Sequence, residues 1–340
     1  MLPPNSSLNS LGRRVLLFGA TGTIGQATAQ ALLQQGFTVT CFIRGPKEQN
    51  DVGKRSATYP FLEGTQIRFG DVTNPASLLK DGFCGEHFDV IVSCLASRTG
   101  APKDAWKIDY QAHVNILECA KKLAVKQMIL LSAICVQRPI LAFQQAKLAF
   151  EKNLIDSGLN YSIVRPTAFF KSLSGQIKRV QNGKSFLLFG DGQLTACKPI
   201  SDQDLGIFIA SCIDDSTKHD QILPIGGPGE AITPLQQGKK IFELLGKSPK
   251  FSKVPVGLMD CIIATLSLLG WMIPACKDKA ELARIGRYYA TESMLVLNPL
   301  TQQYDATLTP STGTQTLFAY YEALITGTAS VDLREHSVFN

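Results

Sequence analysis

The chain has 340 residues, and 34 Lys and Arg against 28 Asp and Glu give it a formal net charge of +6. Apolar residues make up 45% of it and charged residues 18%, a composition that excludes a disordered or fibrous protein. This length corresponds to one large domain or to a core with a smaller appendage. The basic residues are spread along the chain and form no block or stripe, so we expect no nucleic-acid partner.

The nine cysteines lie scattered through apolar surroundings, and none forms a CxxC pair. This pattern indicates reduced thiols of an intracellular protein and no metal site. Residues 1–12 are predicted to form a flexible tail, because they lack the apolar region of a secretory signal. No run of about 20 apolar residues is free of charge, so we expect no membrane-spanning helix.

Short apolar runs alternate with helix-like segments through the first half of the chain. The predicted strands lie at 14–19, 38–44, 66–72, 88–95, 127–133 and 161–166. The predicted helices lie at 23–35, 103–124 and 140–157. This alternation predicts βαβ units and therefore an α/β fold, a Rossmann-type doubly wound parallel sheet with helices on both faces.

The pattern changes after Pro166, where glycine-rich turns separate two further helix signals. Their N-terminal residues are Ser201 for a helix over 200–213, and Thr233 followed by Pro234 for a helix over 233–246. Ser and Thr are favoured N-caps, and Pro is favoured at the first helical position. We expect this C-terminal part to form a smaller substrate lobe.

The sequence GATGTIG at 19–25 follows the first predicted strand and opens the first predicted helix. Its first glycine permits a tight turn, its second lets a pyrophosphate approach the backbone, and its third lets helix and strand pack closely. The helix N-terminus adds free N–H groups for the phosphates. A tight turn without a ligand is the alternative. The expected dinucleotide-binding residues are Gly19, Thr21, Gly22, Thr23, Ile24 and Gly25.

The end of the second strand carries Arg44, where NAD sites have an acidic residue for the ribose 2′-hydroxyl. A guanidinium binds a 2′-phosphate, so NADPH is the expected cofactor, although an ordinary surface arginine is the alternative. Asp71 after the third strand is expected to bind adenine, or else to cap a turn. Cys94, Leu95 and Ala96 after the fourth strand are expected to line the ribose.

These expectations divide the chain into two parts behind the N-terminal tail. Residues 13–165 are expected to form an NADP-binding Rossmann core, and residues 166–340 a substrate-binding lobe. Some elements of the lobe, at about 200–227, are expected to return to the core.

The fifth strand ends at Ser132, and the next predicted helix carries Phe143 and Lys147. Here the chain resembles the short-chain dehydrogenase/reductase superfamily, which uses a Ser and a Y-x-x-x-K pair on one helix face. The resemblance implies catalytic roles for Ser132 and Lys147 and a contact of Lys147 with the nicotinamide ribose. A solvated helix lysine is the alternative. Phe143 departs from the pattern because it lacks the phenolic proton, whereas a carbon–carbon double bond accepts hydride without forming a hydroxyl.

Longer stretches resemble one family, the NADPH-dependent divinyl chlorophyllide a 8-vinyl reductases, which are atypical short-chain reductases similar to the NmrA and isoflavone-reductase groups. The stretches are LLSAICVQRP (130–139), FQQAKLAFE (143–151), YSIVRPTAFFKSLSGQ (161–176), FGDGQLTACKPISDQDL (189–205), LPIGGPGEAITPLQQG (223–238) and IGRYYATESMLV (285–296). The resemblance implies reduction of the C8 vinyl group of a chlorophyllide-type tetrapyrrole with NADPH, in chlorophyll biosynthesis. It also implies a place on the cytoplasmic side of the thylakoid in a cyanobacterium, or in a chloroplast stroma.

Residues near the sixth strand and toward the C-terminus are the candidates for substrate contacts. Phe169 and Phe170 would pack against a flat macrocycle, or else in the core. Lys171 and Arg287 are candidates to meet a substrate propionate, or else surface charges. Tyr288 or Tyr289 is the candidate proton source, with a packed pair of these two rings as the favoured alternative and solvent as the alternative donor.

Residues 257–275 form the most apolar stretch of the chain. A buried or capping helix is the favoured prediction, and an interfacial helix in peripheral contact with the thylakoid membrane is the alternative. For the whole protein, an NADPH-binding sensor of the NmrA type without catalysis is the alternative function, because a sensor needs no proton donor.

Overall fold

A seven-stranded parallel sheet lies at the centre of this computed structural model, which describes residues 12–45, 59–271 and 273–328. The predicted tail lies outside these residues except for Gly12. The strands of the described part are β1 (Arg14–Phe18), β2 (Thr38–Arg44), β3 (Gln66–Gly70), β4 (Val90–Ser93), β5 (Gln127–Leu131), β6 (Asn160–Pro166), β7 (Phe186–Phe189), β8 (Gln221–Ile225), β9 (Phe251–Val254), β10 (Val296–Leu297) and β11 (Tyr304–Asp305).

The main sheet has the order β3-β2-β1-β4-β5-β6-β8, with every neighbouring pair parallel. The chain moves outward on one side of β1 and then returns to build the other side, so a crevice opens between the carboxyl ends of β1 and β4. This arrangement confirms the predicted Rossmann-type doubly wound fold. Two small ribbons, β7 with β9 and β10 with β11, lie outside the main sheet.

Helices and short helical turns cover the sheet and build the C-terminal part. The helices are α1 (Thr23–Gln34), α2 (Pro75–Ser77), α3 (Pro102–Ala105), α4 (His113–Lys122), α5 (Ala142–Ile155), α6 (Phe170–Leu173), α7 (Ile177–Gln181), α8 (Asp202–Ser211), α9 (Pro234–Leu244), α10 (Val256–Leu269), α11 (Pro274–Thr291) and α12 (Leu317–Thr326). Two π-helical segments occur, Leu78–Phe83 and Trp106–Ala112. The single helix predicted over 103–124 is therefore interrupted by a wider turn.

The predicted helix starts at Ser201 and Thr233 are both confirmed. The Ser201 hydroxyl accepts the Asp204 N–H at 3.0 Å, at the start of α8. Thr233 and Gln236 form a reciprocal capping box, and Pro234 is the first residue of α9. These features were predictable because an N-cap depends only on the next three residues.

Two apolar cores cover the two faces of the main sheet. Alternate residues of β1 divide between them, with Leu17 in the core beneath α1 and α8 and Leu16 in the core beneath α4 and α5. Helix α8 packs on α1 so closely that a Cβ at Gly206 would lie 2.6 Å from the Ala27 carbonyl carbon. Strand β8 then extends the sheet beside β6. The residues from α8 to β8 therefore pack with the main sheet and its helices, although they come after residue 165.

The α10–α11 hairpin, residues 256–291, differs from the rest of the C-terminal part. A third apolar core unites Phe170, Phe186, Phe242 and Tyr321, but α10 has no buried residue. Of the favoured prediction, a buried or capping helix over 257–275, the buried option is therefore wrong for α10. None of the helices in the described ranges has both the length and the apolar character needed to cross a membrane.

Candidate active site

The glycine turn between β1 and α1 lies at the crevice of the sheet. Gly19 has a φ of +79°, and a Cβ there would lie 2.5 Å from the Cys94 carbonyl carbon. A Cβ at Gly25 would lie 2.1 Å from the Gly19 carbonyl oxygen. Both glycines therefore serve the packing of the protein itself, one at the turn and one where α1 meets it.

Gly22 is different, and it tests whether the turn fits a dinucleotide. A Cβ at Gly22 would meet only the Gly19 oxygen, at an ordinary 3.6 Å, and its φ of −79° suits any residue. Gly22 is also the N-cap of α1, with no side-chain cap on the helix and no acidic residue in its first turn. The open space and the uncapped N–H groups of Thr23 and its neighbours fit a pyrophosphate.

A pocket of about 730 Å³ lies at the carboxyl ends of β2 and β3. Its lining includes Arg44 and Asp71, so two predicted cofactor residues lie together there. It also includes Lys107, from the π-helical segment Trp106–Ala112. The lining also has the carboxylates Asp81 and Asp104, and Arg44 and Lys107 are its candidates to bind a phosphate group. Sequence reasoning missed Lys107 because the wide turn that carries it leaves no simple pattern.

Asp71 also shapes the turn after β3. One of its carboxylate oxygens accepts the N–H and the hydroxyl of Thr73, both at 2.8 Å. The hydrogen bond from the Thr73 backbone lowers the pKa of Asp71 most, and the positive charges of Lys107 and Arg44 lower it further. Asp71 therefore caps the turn, as the alternative prediction had it, while it lines the nucleotide pocket.

The segment after β4 lies against the glycine turn, which brings Cys94, Leu95 and Ala96 to the crevice. The Cys94 N–H donates to the Phe18 carbonyl at 2.9 Å. Burial raises the pKa of the Cys94 thiol to about 12, so this side chain is uncharged near neutral pH.

Lys147 on α5 forms a buried ion pair with Asp109, which the sequence analysis did not single out. The Lys147 Nζ lies 3.0 Å from an Asp109 carboxylate oxygen. Lys147 is 8% exposed and Asp109 is 1% exposed. Asp109 and His113 are four residues apart across the start of α4, a spacing that could have indicated a polar cluster facing inward.

His113 completes this polar cluster. Its two ring nitrogens lie 3.0 Å from the Ile108 carbonyl and 2.8 Å from the Ser93 hydroxyl. Burial, and then the positive charge of Lys147, lowers the pKa of His113 to about 4. The ring is therefore neutral near pH 7, and its hydrogen bonds hold the end of β4 in place.

The predicted catalytic Ser132 lies in a second polar cluster. Its hydroxyl donates to Glu151, a buried carboxylate on α5 that is also paired with Arg165. The Nε of Arg165 lies 3.2 Å from Glu151. The structure thus gives Lys147 and Ser132 different carboxylate partners, Asp109 and Glu151.

Phe143, at the position of the absent tyrosine, lies in an apolar cluster between the sheet edge and α11. The cluster includes Tyr288 and Ile285, and Gly100 lies directly against Phe143 and Ile285. The Tyr288 hydroxyl donates to the Cys135 carbonyl at 2.8 Å, and burial raises the pKa of Tyr288.

Tyr288 and Tyr289 form an edge-to-face pair with ring centroids 5.8 Å apart, as the alternative prediction had it. The Tyr289 ring is 47% exposed, and its hydroxyl lies 4.0 Å from the Cys135 sulfur. Tyr288 is thus held in the protein, while Tyr289 reaches the surface from the same turn of α11.

The predicted substrate residues are not gathered around one cavity. Phe169 packs against the core beneath α1 and α8, and Phe170 is buried beside Tyr320 with ring centroids 5.4 Å apart. Both rings therefore pack in the protein, as the alternative prediction had it. Lys171 is partly buried at the start of the lobe. Arg287 forms an ion pair with Asp260, which connects α11 to α10.

Comparisons with known proteins identify the relatives of this chain. The model of a family described as NAD(P)H-binding matches residues 19–216. The chain is 48% identical to the divinyl chlorophyllide a 8-vinyl-reductase, chloroplastic, of Cucumis sativus, over 97% of this chain and 81% of that protein. It is 48% identical to the Arabidopsis thaliana protein of the same name, over 94% of this chain and 79% of that one.

The fold is also similar to that of a solved reductase. The binary complex of leucoanthocyanidin reductase with NADPH from Vitis vinifera has a TM-score of 0.65 and 17% identity, over 92% of this chain and 99% of that chain. This likeness concerns the fold, whereas the sequence matches identify the relatives. The chain is an NAD(P)H-binding protein that belongs to the divinyl chlorophyllide a 8-vinyl-reductase family.

Proposed function

We propose that this protein reduces the 8-vinyl group of divinyl chlorophyllide a to an ethyl group, with NADPH as the hydride donor, in chlorophyll biosynthesis. The observation that carries the proposal is 45–48% identity, over 94–99% of the chain, to four relatives that are named as this reductase. The glycine turn and the Arg44 pocket support it, because they fit the phosphates of NADPH.

Each end of the cofactor site has its own task in this proposal. NADPH supplies a hydride to the carbon–carbon double bond when it is bound. The N–H groups at the start of α1 bind the pyrophosphate, and Arg44 and Lys107 bind the 2′-phosphate. An acidic residue in place of Arg44 would repel that phosphate, so the pocket favours NADPH over NADH.

At the reacting end, the protein orients the reactants and excludes water. Lys147 donates hydrogen bonds to the nicotinamide ribose, and Asp109 holds its ammonium in place. Phe143 and Ile285 form an apolar wall beside it. A tyrosine at position 143 would protonate a substrate oxygen, and the reduction of a vinyl group includes no such step.

The remaining proton has two candidate sources. Tyr288 remains a predicted donor, but its hydroxyl is engaged with the Cys135 carbonyl and its pKa is raised. Both features make release of its proton harder. We therefore favour solvent as the source. Lys171 and Arg287 remain proposed partners of a substrate propionate, and Arg287 would exchange its ion pair with Asp260 for that contact.

Incubation of the protein with NADPH and divinyl chlorophyllide tests the proposed function. We expect NADPH to be consumed in step with a monovinyl product, detected by its shifted Soret band. NADPH binding without product would contradict the proposal and favour the sensor of the NmrA type. A Lys147→Met variant, which keeps much of the side-chain volume, is the control and should lose most of the turnover.

We further propose that the protein acts at the thylakoid surface, on the cytoplasmic side in a cyanobacterium or in a chloroplast stroma. The relatives named above carry the word chloroplastic in their names. On the α10–α11 hairpin, Leu268 is 77% exposed and Trp271 is 90% exposed. Exposed apolar side chains beside the exposed Lys277 and Lys279 suit peripheral contact with an anionic lipid surface.

Flotation with liposomes of thylakoid-like anionic lipids tests this contact. Leu268→Gln with Trp271→Gln should reduce the bound fraction severalfold. The matched control is Leu300→Gln, since Leu300 is 92% exposed in the turn between β10 and β11. Equal flotation of all three proteins would contradict the membrane contact.

A further inference from the structure

The buried pair of Asp109 and Lys147 connects two elements that are distant in the sequence. Asp109 lies in the π-helical segment Trp106–Ala112, and Lys147 lies on α5. Their charged atoms are 3.0 Å apart, and both residues are at least nine-tenths buried. Burying two charges is costly unless their geometry is good, and π-helical turns are frequent at functional sites.

We propose that Asp109 is a positioning residue of the reductase reaction: its carboxylate holds the Lys147 ammonium in place and keeps it charged where the nicotinamide ribose binds. This inference rests on the proposed function, because the task of Lys147 is defined by it.

Asp109 also contacts the segment that lines the cofactor crevice. Both of its carboxylate oxygens lie 3.3 Å from the Ser97 nitrogen, which donates to them. Ser97 directly follows the segment 94–96, whose start lies against Gly19. One carboxylate therefore connects the glycine-turn side of the site to the lysine on α5. Its loss would move both sides relative to each other.

Two other titratable groups feel the charge of Lys147, His113 on α4 and Cys135 after β5. Burial lowers the pKa of His113 to about 4, and burial raises the pKa of the Cys135 thiol. Both groups are therefore uncharged near pH 7. The buried carboxylate of Glu151, one turn along α5, is paired with Arg165, and Asp109 is the carboxylate paired with Lys147.

The sign of the pH effect follows from this arrangement. A buried ammonium that has lost its counter-charge gives up its proton more readily. In an Asp109→Asn variant, Lys147 would become neutral at a lower pH than in the parent protein. The proposal requires the charged form of Lys147. In Asp109→Asn, the reaction rate should therefore begin to fall at a lower alkaline pH than in the parent protein.

The experiment compares pH profiles of kcat and of kcat/KM for the parent, Asp109→Asn and Asp109→Glu. We expect Asp109→Asn to lose about 100-fold in kcat/KM near neutral pH. Its alkaline limb should move down by on the order of one pH unit. Asp109→Glu keeps the charge but displaces it, so its kcat should fall while its pH profile stays that of the parent.

Asp204→Asn is the matched control, because Asp204 is another buried carboxylate and accepts a backbone N–H, from Gln315, away from Lys147. It should keep the parent pH profile. An unshifted alkaline limb in Asp109→Asn would overturn the proposal, however slow that variant is. If Asp109→Asn fails to fold, a shifted limb in Asp109→Glu would overturn it instead.

A double-mutant cycle with Lys147→Met gives an independent measure. Asp109→Asn should cost little in the Lys147→Met background, and an equal cost in both backgrounds would overturn the proposal. NADPH affinity, followed by its fluorescence across pH, separates this inference from the proposed function. A parent that binds NADPH but gives no monovinyl product refutes the function, while a weaker alkaline NADPH affinity in Asp109→Asn still supports the role of Asp109.

Discussion

Strand β1 and helix α10 are both apolar segments, but the protein uses them in opposite ways. The residues Val15–Phe18 of β1 are fully buried between two layers of helices. Helix α10 packs along α11 and leaves apolar side chains such as Leu258 and Leu268 exposed. An apolar sequence thus indicates that a segment favours burial. It does not indicate whether the segment is buried within its own chain or against another surface.

The largest difference should appear when one leucine of each segment is shortened. Leu16→Ala removes a fully buried side chain from the sheet and should cost about 2–5 kcal/mol of unfolding free energy. Leu268→Ala should change it by less than about 0.5 kcal/mol. Urea denaturation of the two variants measures both values. A large loss in Leu268→Ala would mean that the hairpin is covered in the folded protein.

The glycine turn allows a sharper version of the comparison, between packing and ligand binding. Gly25→Ala places a Cβ against the Gly19 carbonyl and should cost about 3 kcal/mol of stability, measured by denaturation. Gly22→Ala meets no such obstacle, so its stability should stay near that of the parent while NADPH affinity falls at least about tenfold. Normal NADPH affinity in Gly22→Ala would contradict the phosphate-binding role of that turn.

Variants of Arg44 and Lys107 test whether the pocket at the ends of β2 and β3 binds the 2′-phosphate. Arg44→Ser should weaken NADPH binding by about 2 kcal/mol, because a charge-assisted hydrogen bond is lost, and should leave NADH binding unchanged. Lys107→Ser should act in the same direction. Titration of each variant with NADPH and with NADH gives the ratio of the two dissociation constants. An equal loss for NADH and NADPH would show that the two cations do not bind the 2′-phosphate.

Tyr288→Phe should have the smallest effect, and it separates anchoring from proton donation. Loss of its hydrogen bond to Cys135 should cost about 1 kcal/mol of stability. If solvent donates the proton, kcat should stay close to that of the parent. A fall of kcat by a factor of about 100 or more, with a folded protein, would instead identify Tyr288 as the donor.

The elements that sequence predicted well depend on local chemistry. The strand over 38–44 has the predicted ends, and the caps at Ser201 and Thr233 lie where short-range rules place them. The contact of Gly25 with Gly19 is equally local, whereas Gly19 also packs against the distant Cys94. The family resemblance, confirmed by the curated relatives, gave the substrate class, which no local pattern contains.

The remaining parts of the site depend on contacts between distant residues. Asp109 meets Lys147 only because a π-helical turn and α5 pack together, and neither residue alone indicates the pair. Phe170 was a candidate for substrate stacking, but its ring is covered by Tyr320, which lies 150 residues later in the chain. The exposure of α10 was likewise not predictable, because the apolar composition of 257–275 does not show which other residues pack against it.

The contact between Gly206 of α8 and Ala27 of α1 has a consequence for synthesis of the chain. Helix α1 keeps an apolar face without its partner until Leu205 and Ile209 of α8 have been made. The sheet also gains its last strand only with residues 221–225. A nascent chain that stops at residue 165 therefore exposes apolar surface that attracts chaperones or aggregates. The main sheet and its helices become a finished folding unit only after β8 has been translated.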